Sequence, residues 1–296
     1  MALSKDQQGE LFIFAEATLW SFFPIITILS YSKLSPLISL AGSTLFAALF
    51  FAIFLAGKNK WQEIKDLSVL GDIILATLFI GILYYFLIFT GLKYTTAGNA
   101  SIISLAEVFF SFLFFNIWKK EYLSIENILG AILMVLGAVI VLFPGEIKLN
   151  LGDLLVLAAT IVAPFGNFFQ RRARTKVSSE TIMFIRSIIV APLIFLLALL
   201  LNPHLPSIDD FRVSLVFLII NGFFLFGLSK VFWLEGIHRI PVAKANALSS
   251  ISPLLTIFFA WLILRNTPTI WQFLAFIPLF IGTLLLTKRV KFGLTI

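Results

Sequence analysis

Residues 70–92 read LGDIILATLFIGILYYFLIFTGL. The stretch carries one charged side chain, Asp72, close to its start. An α-helix rises about 1.5 Å per residue, so roughly 20 apolar residues cross a hydrocarbon core about 30 Å thick. Residues 70–92 are therefore predicted to form one transmembrane helix.

The rest of the chain repeats this pattern. Of the 296 residues, 60% are hydrophobic and 12% are charged, and that charged fraction is about half of what a soluble domain carries. The same length rule predicts helices at 9–31, 35–57, 70–92, 96–118, 126–143, 151–171, 180–201, 213–236, 242–264 and 269–287. The sequence thus predicts an all-α integral membrane protein of about ten transmembrane helices, with an exterior that faces the lipid bilayer.

Basic residues are distributed unequally between the two sets of connecting loops. One set holds Lys5, Lys58, Lys60, Lys65, Lys119, Lys120, Arg171, Arg172, Arg174, Lys176, Arg239, Lys288, Arg289 and Lys291. The other holds Lys33, Lys93, Lys148, Arg212 and Arg265. Because loops rich in Lys and Arg stay in the cytoplasm, we expect a multi-pass protein of the inner (plasma) membrane with both termini cytoplasmic. The net charge of +7 follows from this bias and calls for no nucleic-acid partner.

The two halves of the chain resemble each other. A shift of 145 residues places Gly91 on Gly236, Ala100 on Ala245, Ser104 on Ser249 and Gly137 on Gly282, and a shift of 143 places Gly9 on Gly152. We predict a first five-helix repeat at 9–143 and a second at 151–287. Because each repeat has an odd number of spans, the second enters the membrane from the opposite side. Such inverted repeats recur in secondary transporters, with the solute site between them near the midplane.

Specific stretches in each half also match a known pattern. In the first half they are GLKYTTAGNAS at 91–101, Glu121 and the glycine-spaced 130–137, and in the second they are 236–247, Pro253 and Gly282. On these residues the chain resembles the EamA family of the drug/metabolite transporter superfamily. It departs from the pattern at Val108, which aligns with Pro253, and at Asn266, which aligns with Glu121. The resemblance implies transport of an amino acid or another metabolite without naming the solute.

Charged side chains inside the predicted helices are the first candidates for the site, because each costs roughly 2.5–3.5 kcal/mol to insert. Glu107 lies near the middle of the fourth helix, and Ser104 and Ser111 share its helix face by their spacing. The equivalent positions in the second half are Ser249, Ser252 and Thr256. One interpretation is that both polar faces line a central cavity. The other is that the hydroxyls bond carbonyls of their own helix or join neighbouring helices.

Other candidates each have a functional and a structural interpretation. Glu16 and Trp20, four residues apart, form either a cation or proton site beside an aromatic wall or a structural ion pair between Glu16 and Arg186 or Lys230. Arg186 is either a two-pronged carboxylate clamp or an anchor. Pro164, Gly166 and Asn167 in the sixth helix indicate either a local break that exposes backbone groups to a ligand or a plain kink. Tyr84 and Tyr85 are interpreted as part of an interfacial aromatic belt.

The sequence also limits the chemistry. It contains no cysteine, and its two histidines, His204 and His238, fall in predicted loops on opposite sides of the membrane, so we expect no metal site and no cofactor. No phosphate-binding loop or nucleophile motif is visible, so we expect no enzyme.

The main hypothesis is a secondary transporter of a small metabolite, amino-acid-like or zwitterionic, that works by alternating access around a central cavity. Glu107 would contact the solute or carry a coupling proton, and Arg186 or Lys230 would meet a carboxylate. The alternatives are a membrane-embedded enzyme acting on lipid and a non-transporting membrane scaffold.

Overall fold

The computed structural model describes residues 4–119, 125–144, 150–201, 205–240 and 242–287. Within these ranges the chain forms helices and no strand. The candidate residues that fall outside these ranges are Lys120, Glu121, Lys148, His204, Lys288, Arg289 and Lys291. The predictions that rest on those residues are therefore not described further.

Ten helical spans follow one another in the described residues. They are α1 (Lys5–Ser30), α2 (Pro36–Gly57), α3 (Leu67–Leu92), α4 (Ala97–Ser104 and Ala106–Lys119), α5 (Ile125–Leu142), α6 (Leu151–Ala173), α7 (Ser179–Leu201), α8 (Ile208–Arg239), α9 (Val242–Ser249 and Ser252–Leu264) and α10 (Ile270–Thr287). The first eight contain segments long and apolar enough to cross a membrane, and the last two are shorter and apolar. The predicted fold class is confirmed.

Two helices begin earlier than the hydrophobic pattern predicts. α1 begins at Lys5 instead of residue 9, because Ser4 and Gln7 form a reciprocal capping box. α8 begins at Ile208 instead of residue 213, because Ser207 and Asp210 form the same arrangement. Polar first turns stabilise a helix start without adding to its apolar length, so a hydropathy rule does not detect them.

The third helix of each repeat contains a π-helical segment at an equivalent place. The segments are Thr77–Tyr84 in α3 and Ile220–Leu228 in α8. Their first residues differ by 143 positions (220 − 77) and their last by 144 (228 − 84), which matches the shift between the repeats. π-Helical segments are rare and often occur at functional sites. Both segments contribute residues to the cavity described below.

The two repeats exchange their first helices. α1 packs on α8 and α9 of the second repeat, and α6 packs on α3 and α4 of the first. Glycines allow both close approaches: a Cβ at Gly9 would lie 2.7 Å from Ile240 Cγ2, and a Cβ at Gly152 would lie 2.7 Å from the Gly91 carbonyl oxygen. Small residues at helix contacts are typical of membrane proteins, where close packing replaces the hydrophobic driving force. α2 pairs with α7, and α5 with α10.

Polar contacts define the two faces of the bundle. At the face where α1 begins, called the N-terminal face, Lys58 Nζ lies 2.8 Å from Glu180 Oε1, and Lys244 pairs with Glu10. At the opposite face, Asp153 accepts a hydrogen bond from Thr95. Between these faces, apolar side chains such as Leu45, Leu49 and Ile53 of α2 are exposed at intervals of four residues, as a lipid-facing stripe requires.

Candidate functional site

A cavity of about 680 Å³ lies between the two repeats. Its wall includes residues from α1 to α4 and from α6 to α9. Arg171 and Arg174, both exposed at the end of α6, belong to its rim, so the cavity opens toward the N-terminal face. At the far end the wall is formed by the buried residues Leu92 and Ala100. The cavity is therefore blind toward the opposite face.

One charged cluster joins α1, α8 and α9. Glu16 is 3% exposed, and its Oε1 lies 4.0 Å from Lys230 Nζ. Its other oxygen, Oε2, accepts a hydrogen bond of 3.0 Å from the Ser249 hydroxyl. Lys230 Nζ also lies 3.5 Å from the centroid of the Trp20 ring, within the range of a cation–π interaction. The geometry thus pairs Glu16 with Lys230 and not with Arg186, and all four side chains line the cavity.

A second cluster joins α4 and α6. Glu107 lies in the first turn after the interruption of α4 at Leu105, and its Oε1 accepts a hydrogen bond of 3.0 Å from Asn167 Nδ2. Both side chains line the cavity. The predicted local break around Pro164 is wrong, because α6 runs continuously from Leu151 to Ala173. Asn167 reaches the cavity through its side chain, and no unwound backbone is involved.

Arg186 of α7 forms the third polar group of the wall. It is 7% exposed, and its Nη1 donates a hydrogen bond of 2.6 Å to Gln170 Oε1 of α6. Its Nε has no hydrogen-bond partner. Among the residues that the structure describes, no carboxylate forms an ion pair with Arg186, so its buried charge has only a neutral partner.

The predicted hydroxyl residues divide into two groups. Ser104, Ser111, Ser249 and Ser252 line the cavity, and Ser104 also donates a hydrogen bond of 2.7 Å to the Ala100 carbonyl of its own helix. Thr256 is fully buried and lies outside the cavity wall. Thr256 lies one turn beyond Ser252 on the same helical segment, where its hydroxyl donates a hydrogen bond of 2.9 Å to the Ser21 carbonyl of α1.

Aromatic side chains form an apolar part of the wall. Tyr84 and Tyr85 line the cavity. The Tyr85 ring lies 4.9 Å from that of Phe226, and Phe23 lies 5.7 Å from Phe226, centroid to centroid. The π-helical segment of α3 ends at Tyr84 and so positions both tyrosines. Sequence reasoning also missed Gln170, whose only signal is a polar residue one helical turn after Asn167.

These features together define a polytopic membrane protein with a polar, one-sided cavity between two inverted five-helix repeats, the architecture that inverted-repeat transporters share. The model of the EamA-like transporter family matches residues 7–143 and 150–288, one match for each repeat. The chain belongs to this family.

Individual relatives agree with this assignment. The chain is 30% identical over 208 residues to an uncharacterized transporter of Methanothermobacter thermautotrophicus. This match covers 68% of this chain and 59% of the relative. It is 21% identical over 267 residues to the uncharacterized transporter YoaV of Bacillus subtilis, covering 87% and 89%. A third relative, the uncharacterized transporter sll1164 of Synechocystis, is 22% identical, and the match covers 67% of this chain and 60% of the relative. The chain thus spans about three-fifths of the first and third of these proteins.

A solved crystal structure shares the fold. It superposes with a TM-score of 0.67 at 16% identity, covering 94% of this chain and 95% of that one. At this identity the similarity concerns the fold alone.

Proposed function

We propose that this protein is a secondary transporter of a small, amino-acid-like or zwitterionic metabolite. The observation that carries the proposal is the cavity between the repeats. Inside its rim arginines, the wall holds two carboxylates, Glu16 and Glu107, and two cations, Arg186 and Lys230. Its volume of about 680 Å³ falls within the roughly 300–1,000 Å³ typical of small-molecule sites. A wall with charges of both signs suits a solute with charges of both signs.

Transport proceeds by alternating access in this proposal. The repeats at 9–143 and 151–287 rock around the central cavity, which opens to one face at a time. The inverted repeats support this, because each conformation of one half has a counterpart in the other. The one-sided cavity corresponds to one of the two end states.

Orientation and energy source complete the proposal. With both termini in the cytoplasm of a cell bounded by an inner (plasma) membrane, the cavity described here opens to the cytoplasm. Glu107 contacts the solute or carries a coupling proton, so a solute or proton gradient drives the movement. The many basic residues at the N-terminal face, Arg171 and Arg174 among them, support this orientation.

The experiment is transport into proteoliposomes that contain the purified protein. Vesicles are loaded with, or exposed to, each of the twenty standard amino acids under an imposed proton gradient and without one. We expect at least one of them to move faster than in empty vesicles. If none moves under any gradient in either direction, the proposal is wrong.

A further inference from the structure

The two cations of the cavity wall differ in what balances their charge. Lys230 has the Glu16 carboxylate 4.0 Å away and the Trp20 ring beneath it. Arg186 has only the neutral Gln170 side chain as its partner. A charge that is buried without a counter-charge is costly, whereas a paired charge is tolerated. Arg186 is therefore the cation that an anionic ligand would stabilise most.

The Arg186 guanidinium has hydrogen-bonding capacity that the protein does not use. Nη1 is engaged by Gln170, whereas Nε is buried and has no partner. Arg186 lines the cavity, and a guanidinium can donate two parallel hydrogen bonds to the two oxygens of one carboxylate.

The carboxylates of the wall show the complementary difference. Glu16 is paired with Lys230, whereas Glu107 accepts a hydrogen bond from the neutral Asn167 amide. Within the described residues no cation forms an ion pair with Glu107. Glu107 is therefore the acidic group of the wall that an ammonium group would stabilise most.

The side-chain amides of Asn167 and Gln170 determine how far apart Glu107 and Arg186 lie. Asn167 and Gln170 lie three residues apart on α6, so they share one face of a continuous helix. Asn167 contacts Glu107 of α4, and Gln170 contacts Arg186 of α7. One face of α6 thus separates the Glu107 carboxylate, which has no ion-pair partner within 4.0 Å among the described residues, from the Arg186 guanidinium by about one helical turn.

We propose that Arg186 and Glu107 determine the specificity of the cavity for α-amino acids. Arg186 binds the carboxylate of the solute, Glu107 accepts its ammonium group, and Asn167 and Gln170 are positioning residues. The Glu16–Lys230 pair keeps its own charges together and does not bind the solute carboxylate. This inference rests on the proposed function but concerns binding, so it is tested without transport.

The first experiment measures thermal unfolding of the purified full chain with acetate as the simplest carboxylate probe. Acetamide is the neutral counterpart, and sodium chloride keeps ionic strength constant. We expect saturating acetate to raise the Tm of the wild type by about 2 °C, as a ligand that binds only the folded state does. Acetamide should not raise it.

The variants identify the residue that responds. Arg186→Gln should abolish the acetate shift, and Arg186→Lys should reduce it because a lysine lacks the two-pronged edge. Lys230→Gln should keep it. The matched control is Arg212→Gln, an exposed arginine at the opposite face that pairs with Asp209. The inference is overturned if acetate does not stabilise the wild type, or if Arg186→Gln responds as the wild type does.

A second experiment uses amino acids and separates this inference from the proposed function. Binding of the twenty amino acids is compared with binding of their carboxamides, which lack the negative charge. The wild type should prefer the acid about 10-fold or more, since charged hydrogen bonds contribute roughly that much, and Arg186→Gln should lose the preference. If no amino acid is transported, the proposed function fails, while the acetate measurements still decide the role of Arg186.

Discussion

Ser101 of α4 donates a hydrogen bond of 3.1 Å to the Thr256 hydroxyl of α9. Thr256 in turn donates one of 2.9 Å to the Ser21 carbonyl of α1. Three helices from both repeats are thereby joined at the blind end of the cavity. The positions equivalent to Thr256 and Ser101 by the 145-residue shift are Ser111 (256 − 145) and Asn246 (101 + 145). These two described residues line the cavity with no hydrogen bond between them.

Disulfide cross-linking tests alternating access at these positions. The protein contains no cysteine, so introduced pairs report without background. Ser101→Cys with Thr256→Cys should cross-link in the state described here. Ser111→Cys with Asn246→Cys should cross-link only when the cavity opens to the opposite face, because inverted repeats exchange conformations. Each cross-link should lower the transport rate about 10-fold or more, which corresponds to an activation free energy about 1.4 kcal/mol higher. A reducing agent should restore transport.

The single-cysteine variants are the controls for this experiment, and their transport should be the same with and without oxidant. Efficient cross-linking of both pairs in the same molecule would contradict alternating access.

Replacing Glu107 by Gln should remove a charge while keeping the hydrogen bond from Asn167, because the glutamine oxygen is also an acceptor. We expect transport to fall about 10-fold or more, since hydrogen bonds to charged groups contribute about 1.5–3 kcal/mol. The remaining activity should lose its dependence on pH, measured as uptake between pH 5 and 8. An unchanged pH profile at full activity would exclude Glu107 from the mechanism.

Replacing Gly152 by Ala tests the close contact between α6 and the turn after α3. A Cβ at this position would lie 2.6 Å from the Tyr94 carbonyl carbon and 2.7 Å from the Thr95 nitrogen, both of them backbone atoms that cannot rotate away. Gly152→Ala should lower stability by about 1–3 kcal/mol, as overpacking does, and the Tm by several degrees. Gly71→Ala is the matched control, because nothing lies within 4 Å of its Cβ. Equal melting temperatures for the two variants would contradict this account.

Glu63 lies in the connection between α2 and α3, outside the membrane-spanning segments, and its contacts predict a pH effect. Burial raises the pKa of the Glu63 carboxyl, but hydrogen bonds from Ser178 and Thr181 and the charge of Lys60 outweigh burial, so the pKa lies below its ordinary value of 4.5. The Ser178 N–H donates at 2.7 Å and the Thr181 hydroxyl at 2.8 Å. A carboxyl whose pKa is lower in the folded state stabilises the fold above its unfolded pKa and stops doing so as pH falls through the folded value.

The wild type should therefore melt at a higher temperature than Glu63→Gln at neutral pH. The difference should shrink as pH falls below about 4.3, the value expected for an unfolded glutamate. Melting curves of both proteins between pH 3 and 7 measure it. A difference that grows toward low pH would have the wrong sign for this explanation.

The fold was predictable from sequence because lipid imposes a simple rule on length and polarity. Apolar stretches such as 36–57 must be helices of spanning length, since the bilayer offers the backbone no other partners. The wall residues Glu16, Glu107, Arg186 and Lys230 were predictable for the same reason, because charged groups in a bilayer must face inward. Predicting that these four residues face the interior did not require knowledge of how the helices pack against one another.

The pairing of these residues was not predictable. Whether Glu16 meets Arg186 or Lys230 depends on α1 crossing to the second repeat, which periodicity does not encode. The position of Thr256 depends on its contact with the Ser21 carbonyl of α1, which joins the two repeats. The π-helical segments have i→i+5 backbone hydrogen bonds, which the hydrophobic pattern does not distinguish from those of an α-helix. The pairing of Glu16 and the position of Thr256 are properties of tertiary contacts, and one sequence contains no direct record of them.

The exchange of first helices has a consequence for how the protein is made. Gly9 of α1 packs against Ile240, which the ribosome adds long after α1 has been made. At about 5–20 residues per second, α1 waits in the membrane for roughly 10–50 s before its partner helices exist. During that interval Glu16 lacks both Lys230 and Ser249. A nascent chain released after the first five spans would therefore hold an unpaired acid inside the bilayer, where a charged side chain is costly.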